Sequence, residues 1–165
     1  MNAIQRVMDY LQHHELVLTT AESCTAGSIV SLLATIPGCG ACLDAGYVVY
    51  SPEAKKRLLG VRQETLDRFN LTSQEVAWEM AVGALHDSDA NLVIANTGIA
   101  GPEGQDGIPP GTLWFAWGFR NGERLHVFTR KERFPGDRCS VLDQAARYAL
   151  DMIPAYHQRF LRGEG

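Results

Sequence analysis

Apolar residues along the chain alternate between a helical and a strand-like period, and the switches mark the elements. Ile4, Val7, Met8 and Leu11 recur at helical spacing, so residues 4–14 are read as an amphipathic helix that packs on a sheet. Leu16-Val17-Leu18-Thr19 opens a short buried strand over 16–21. Helical spacing returns in Ser28-Ile29-Val30-Ser31-Leu32-Leu33-Ala34, within a helix expected over about 25–35 and closed by Pro37-Gly38. Residues 43–50 are rich in β-formers and read as a strand. It runs into Ser51-Pro52-Glu53-Ala54-Lys55, a helix start with serine as cap and proline in the first turn, and that helix ends at Leu59-Gly60. Thr72 and Glu75 have capping-box spacing, which starts a helix running to about residue 86. Residues 91–97 form a further buried strand, and strands at 112–119 and 125–134 are joined by a hairpin at Asn121-Gly122. A last helix starts near Gly136-Asp137-Arg138 and carries Val141, Ala145, Tyr148, Ala149 and Met152 on one face. The tail after Pro154 is read as frayed.

Strands alternating with helices predict an α/β protein with a largely parallel sheet covered on both faces. The hairpin makes one strand antiparallel, so the sheet is mixed. With 165 residues, one domain over 1–165 is expected. A net charge of −4 with no basic run argues against nucleic acid as a partner. No apolar stretch reaches membrane-spanning length and the start lacks a signal-peptide pattern, so neither membrane nor export is expected. Four cysteines are few for a disulfide scaffold and point to a reducing cytoplasm. Cys39-Gly40-Ala41-Cys42 is a C-x-x-C pair. It has no second pair to complete a metal site, and it precedes a strand instead of opening a helix, so no metal or redox role is assigned to it.

Candidate chemistry gathers where buried strands end. Glu22-Ser23-Cys24-Thr25, Tyr50 to Lys55, and the glycine-rich stretch from Gly98 to Gly104 all follow such strands. If those strands are parallel, the three stretches share one edge of the sheet, where open α/β sheets bind ligands. Ser23 is either a nucleophile in a small-residue turn or, with Thr25, merely a helix cap. No histidine lies beside a strand end, which disfavours a serine–histidine pair. Lys55 is the better base, because a helix N-terminus and partial burial both depress an amine's pKa. The competing reading of Ala54-Lys55-Lys56-Arg57 is a solvated helix face. Tyr50 could relay or orient the proton. Cys24 is a rival nucleophile, and adjacent residues leaving a turn in different directions are expected to put only one of the two in the site. The loop over 98–111 is long for a compact domain and is either functional or a flexible turn.

These motifs, together with Gly98-Ile99-Ala100-Gly101-Pro102, Gly111-Thr112-Leu113-Trp114-Phe115-Ala116 and Gly136-Asp137-Arg138, resemble the CinA C-terminal domain family in content and order over nearly the whole chain. The resemblance implies a three-layer α/β/α sandwich with a mixed, mostly parallel five-stranded sheet, no metal, no cofactor and a dimer or larger homo-oligomer. It further implies deamidation of nicotinamide mononucleotide to nicotinic acid mononucleotide and ammonia, in bacterial pyridine-nucleotide recycling. It casts Ser23 as nucleophile, Lys55 as base and Tyr50 as the third polar member. The backbone N–H groups of Thr25, Ala26 and Gly27 are the expected oxyanion hole. Gly98, Ala100 and Gly101 would approach the ribose or phosphate, and Arg138 would pair with the phosphate or serve as a structural ion pair. Because the chain starts within about a helix of its first strand, it reads as the stand-alone form of the domain.

Three positions depart from the family pattern. Ala26 replaces a glycine, which strains the turn if its φ is positive and would narrow the pocket. Pro52 stands where asparagine is commoner, and Leu142-Asp143 stands where many members carry an arginine. A non-catalytic nucleotide-binding domain of the same fold is therefore the second functional reading. An amidase acting on another small amide is the third.

Overall fold

The computed structural model describes residues 2–165. Five strands, β1 (Leu18–Glu22), β2 (Leu43–Val48), β3 (Leu92–Gly98), β4 (Thr112–Asn121) and β5 (Arg124–Arg133), form one sheet in the order β2-β1-β3-β4-β5. β1 pairs in parallel with both β2 and β3, while β4 is antiparallel to β3 and to β5. Four strands thus point one way and β4 alone runs against them, as the hairpin implies. Asn121 pairs with Arg124, so the loop proper is Gly122-Glu123, one residue later than read from the sequence. Gly122, at φ 62°, supplies the left-handed first position of a two-residue loop.

Among the described residues, seven α-helices cover the two faces: α1 (Ala3–His13), α2 (Ser28–Ala34), α3 (Pro52–Leu59), α4 (Gln63–Phe69), α5 (Gln74–Asp87), α6 (Arg138–Asp151) and α7 (Ile153–Leu161). Strand periodicity divides the core between them. Leu92 and Ile94 of β3, with Phe115, Trp117 and Phe119 of β4, face α1, α2, α6 and α7. Val93 and Ala95, with Ala116, face α3, α4 and α5. The second layer is lined by small residues: Ala77, Ala81 and Ala84 on α5 share one buried cluster with Ala95 and Ala116. A methyl at Gly118 would press on Val93 Cγ1 at 2.7 Å. No described helix is long and apolar enough to cross a membrane.

The structure corrects three local readings and adds a detail at the C-x-x-C pair. α4 is absent from the sequence-based reading because, of its side chains, Thr65 is buried and Leu66 packs on the core from a half-buried position, too little for a visible period. Ser73, not Thr72, caps α5, its Oγ accepting from the Val76 N–H at 3.2 Å. Cys39-Gly40-Ala41 forms a single 3₁₀ turn, and both C-x-x-C thiols are free. The tail is not frayed. Pro154 sits in the first turn of α7, where its missing N–H costs nothing, and Ile153, Tyr156, His157 and Phe160 are buried at helical spacing. Tyr156 stacks on Trp117 with centroids 4.4 Å apart, and the Trp117 indole N–H donates to the Ala149 carbonyl at 2.9 Å.

Removing that stacked ring should therefore behave as a core truncation. Tyr156→Ala is expected to lower stability by about 3–4 kcal/mol in urea unfolding. A loss below about 1 kcal/mol would mean that α7 is dispensable to the fold.

Candidate active site

The parallel strands β1, β2 and β3 end at one edge of the sheet, and the three sequence stretches meet there around a cavity of about 360 Å³. Ser23, Cys24, Tyr50, Lys55, Gly98, Ala100, Gly101 and Arg138 all line it. Thr25, Ala26 and Gly27 do not.

Lys55 is in α3 because Ser51 and Pro52 start the helix there, the Ser51 side chain accepting from the Ala54 N–H at 3.0 Å. The helix turns Lys55 inward, leaving it 1% exposed, so it belongs to the buried side and not to the solvated face. Its Nζ lies 2.8 Å from Ser23 Oγ and donates to the carbonyls of Val49 (2.8 Å) and Tyr50 (3.0 Å). Burial lowers its pKa from the ordinary 10.5 to about 8. An ammonium has three donors, which match these three oxygens. The neutral amine keeps two N–H bonds to the carbonyls and turns its lone pair to the Ser23 hydroxyl. Loss of one proton thus converts a hydrogen-bond donor to Ser23 into a base, with no movement of Lys55.

Both Ser23 and Cys24 line the cavity, so direction does not separate the rival nucleophiles as expected. Chemistry separates them. Burial pushes the Cys24 thiol up to about 11 despite the nearby Arg138 and Lys55 charges and the Ala100 N–H. Cys24 packs among core side chains as a neutral thiol, while Ser23 holds the lysine.

Tyr50 is 55% exposed, and its hydroxyl accepts from Arg138 Nη2 at 2.9 Å. Lys55 binds the Tyr50 carbonyl, not the phenol. Arg138 Nη1 also donates to the Gly101 carbonyl at 2.6 Å, so one guanidinium joins α6, the glycine-rich loop and the β2–α3 connection at the cavity. Among the described residues, Arg138 makes these two contacts and no salt bridge.

The N-terminus of α2 is not the open anion site read from the sequence. The Glu22 carboxylate, fully buried, accepts from the N–H groups of Gly27 (3.1 Å), Ile29 (3.0 Å) and Val30 (3.3 Å) and from the hydroxyls of Thr20 (3.1 Å) and Thr25 (2.6 Å). The Thr25 N–H points to Asn96 Oδ1 at 3.4 Å, and the Ala26 N–H to the Ser23 carbonyl at 3.1 Å. All three amides expected as an oxyanion hole are thus engaged internally. Among the described residues, the Cys24 N–H, next along from Ser23, has no internal acceptor.

Ala26 does take a left-handed φ of 51°, a cost of roughly 1 kcal/mol for a residue with a Cβ, but its methyl lies outside the cavity and narrows nothing. Gly98 is required by the sheet, since a Cβ there would meet the Thr112 carbonyl oxygen at 2.6 Å. Sequence reading missed Glu22, Asn96 and the α4–α5 connection, whose Leu71 and Thr72 complete the cavity wall. Glu22 was the most accessible of these, standing directly before Ser23 at a strand end.

The architecture is an open α/β sheet with a serine–lysine pair in a cleft at its carboxyl edge. A family model described as CinA C-terminal domain matches residues 2–156, and the chain belongs to that family. It is 40% identical over 163 residues to nicotinamide-nucleotide amidohydrolase PncC of Escherichia coli strain K12, covering 98% of this chain and 95% of the relative. It is 43% identical over 140 residues to protein YdeJ of the same organism, covering 84% and 79%. The crystal structure of competence/damage inducible protein CihA from Agrobacterium tumefaciens superimposes with a TM-score of 0.87 at 38% identity, covering 94% and 93%.

The lowered Lys55 pKa has a thermodynamic consequence. Unfolded lysine titrates near 10.4, so between about pH 8 and 10.4 the unfolded chain binds more protons at this position than the folded one. The contribution of Lys55 to stability therefore rises with pH through that window and is lost as pH falls to 8. Cys24 has the opposite slope, but it is present in both wild type and Lys55→Met, and the Lys55 charge is the smallest of the influences on its thiol, so most of its contribution cancels in their difference. Wild type is expected to gain on Lys55→Met in urea midpoints taken from pH 7.5 upward. A flat or falling difference would rule out the lowered pKa.

Proposed function

We propose that this chain hydrolyses the carboxamide of nicotinamide mononucleotide to nicotinic acid mononucleotide and ammonia, by acyl transfer through Ser23. One observation carries the reading: a buried lysine, its pKa lowered to about 8, lies 2.8 Å from the hydroxyl of a serine that lines the cavity. The similarity to an enzyme named nicotinamide-nucleotide amidohydrolase, over 98% of this chain, supports this choice of substrate.

The neutral Lys55 amine takes the Ser23 proton as Oγ bonds to the carboxamide carbon. The resulting ammonium gives that proton to the amide nitrogen, the C–N bond breaks and ammonia departs. Water then attacks the Ser23 ester, with Lys55 taking its proton and returning one to Oγ, and the carboxylate product leaves. Stabilisation of the oxyanion falls to the Cys24 N–H, the amide after the nucleophile. The Tyr50 hydroxyl accepts from Arg138, which leaves its own proton to donate into the cavity. Arg138 has further N–H groups beyond the two engaged, and it is the cation we assign to the phosphate. With nicotinic acid mononucleotide as product, we assign the reaction to pyridine-nucleotide recycling.

Ammonia release from nicotinamide mononucleotide tests this directly. Wild type should be active, and Ser23→Ala and Lys55→Ala should each lose roughly a thousandfold or more in kcat. Since the amine must be neutral in the free enzyme, kcat/KM should rise with pH and level off above about 8. A Ser23→Ala variant as fast as wild type sinks the mechanism. A folded wild type that binds the nucleotide without releasing ammonia is instead a binding domain.

A further inference from the structure

A carboxylate with no exposed surface, one residue from a nucleophile, needs a reason to be there. Glu22 is the last residue of β1, and its two oxygens accept three backbone N–H groups and two hydroxyls. The bonds to Thr25, Gly27, Ile29 and Val30 close a loop around Ser23, fastening the residue before it to the turn and helix after it. Thr25 Oγ1 donates to Glu22 at 2.6 Å and accepts from Asn96 Nδ2 at 2.8 Å, which ties the turn to β3. The Asn96 carbonyl in turn accepts the Ser23 N–H at 3.2 Å. Main-chain bonds reach the lysine as well: the Val49 N–H donates to the Glu22 carbonyl at 2.9 Å, and the Val49 carbonyl receives Lys55 Nζ.

We propose that Glu22, through Thr25 and Asn96, is the positioning residue that holds Ser23 Oγ in line with Lys55. It touches neither substrate nor the reacting atoms. Its carboxylate fills the N-terminus of α2 as an internal anion, so the turn needs no bound ligand to be ordered and Ser23 is aligned before substrate arrives. A neutral amide in its place would, in either orientation, turn its NH₂ group toward at least one of these backbone N–H donors and loosen the turn.

This inference rests on Ser23 being the nucleophile but not on the substrate. Its test is therefore the rate at which an aryl sulfonyl fluoride labels Ser23, followed by mass spectrometry: the S–O bond forms, fluoride leaves, and Lys55 takes the hydroxyl proton. Glu22→Gln and the isosteric Thr25→Val should be labelled about tenfold or more slowly than wild type per folded molecule, as a sub-ångström misplacement of a reacting atom would cause. The pH midpoint should stay near 8, because the burial that lowers the Lys55 pKa is unchanged. Thr25→Ser, which retains the hydroxyl, should label within about twofold of wild type. A purely structural role would lower melting temperatures but leave the rate per folded molecule unchanged, and that result in both Glu22→Gln and Thr25→Val would overturn the proposal. Should Glu22→Gln fail to fold, the Val/Ser pair at Thr25 decides alone. Labelling that follows the expected pattern without ammonia release from the nucleotide would refute the proposed reaction and leave the positioning role standing.

Discussion

Everything at the site depends on one amine removed from water. A lysine 1% exposed must either lose its charge or find three acceptors, and this fold lets it do both. The carbonyls of Val49 and Tyr50 bind Nζ in either protonation state, so only the third partner, Ser23, distinguishes ammonium from amine. Those carbonyls are free because β2 ends at Val48 and, apart from the Val49 N–H bond to the Glu22 carbonyl, the chain makes no further strand pairing before α3 starts at Pro52. The end of a strand and the start of a helix are thus set one short connection apart. With a pKa of about 8, roughly one molecule in ten holds the free amine at neutral pH, a balance that serves both proton removal and proton return.

The same logic explains why two neighbouring helix starts behave differently. The first turn of α3 carries Lys55 inward, a cation near the positive end of a helix, which burial and the dipole both oppose. The first turn of α2 meets Glu22, an anion that the dipole favours. One charge is destabilised to make it reactive, and the other is stabilised to make it immobile. An exposed anion-binding turn would have left the order of the serine turn to the ligand.

Much of this was legible in the sequence because it rests on strand ends. Hydrophobic runs located β1, β2 and β3, their parallel direction followed from the alternation with helices, and Ser23, Tyr50, Lys55 and Gly98 to Gly101 met at one edge as a result. What stayed hidden was the assignment of hydrogen bonds. Periodicity says that Thr25, Ala26 and Gly27 open a helix, but not that Glu22, Asn96 and the Ser23 carbonyl already hold their amides. Nor could it show that Tyr50 offers its carbonyl to Lys55 and its phenol to Arg138, since one residue type carries both groups. α7 was hidden for another reason: Pro154 reads as a terminator until the buried residues on either side show that it starts a turn.

The departures from the family pattern can be weighed against this geometry. Ala26 is strained by its left-handed φ, yet it does not line the cavity, so the cost falls on stability and not on ligand space. Leu142 packs half-buried against the core beneath the α1, α2, α6 and α7 layer, and Asp143 pairs with Arg147 one turn along at 3.1 Å; neither lines the cavity. Pro52 suits the helix start that delivers Lys55. The case for a non-catalytic relative of the family rested on the first two of these substitutions. Placed in the structure, both lie outside the cavity, while Ser23 and Lys55 remain within hydrogen-bond reach of each other. A chain freed from catalysis would have no reason to keep a lysine buried at the cost of its charge, because a methionine or leucine would fill that space more stably. Retention of that cost in this chain favours an enzyme.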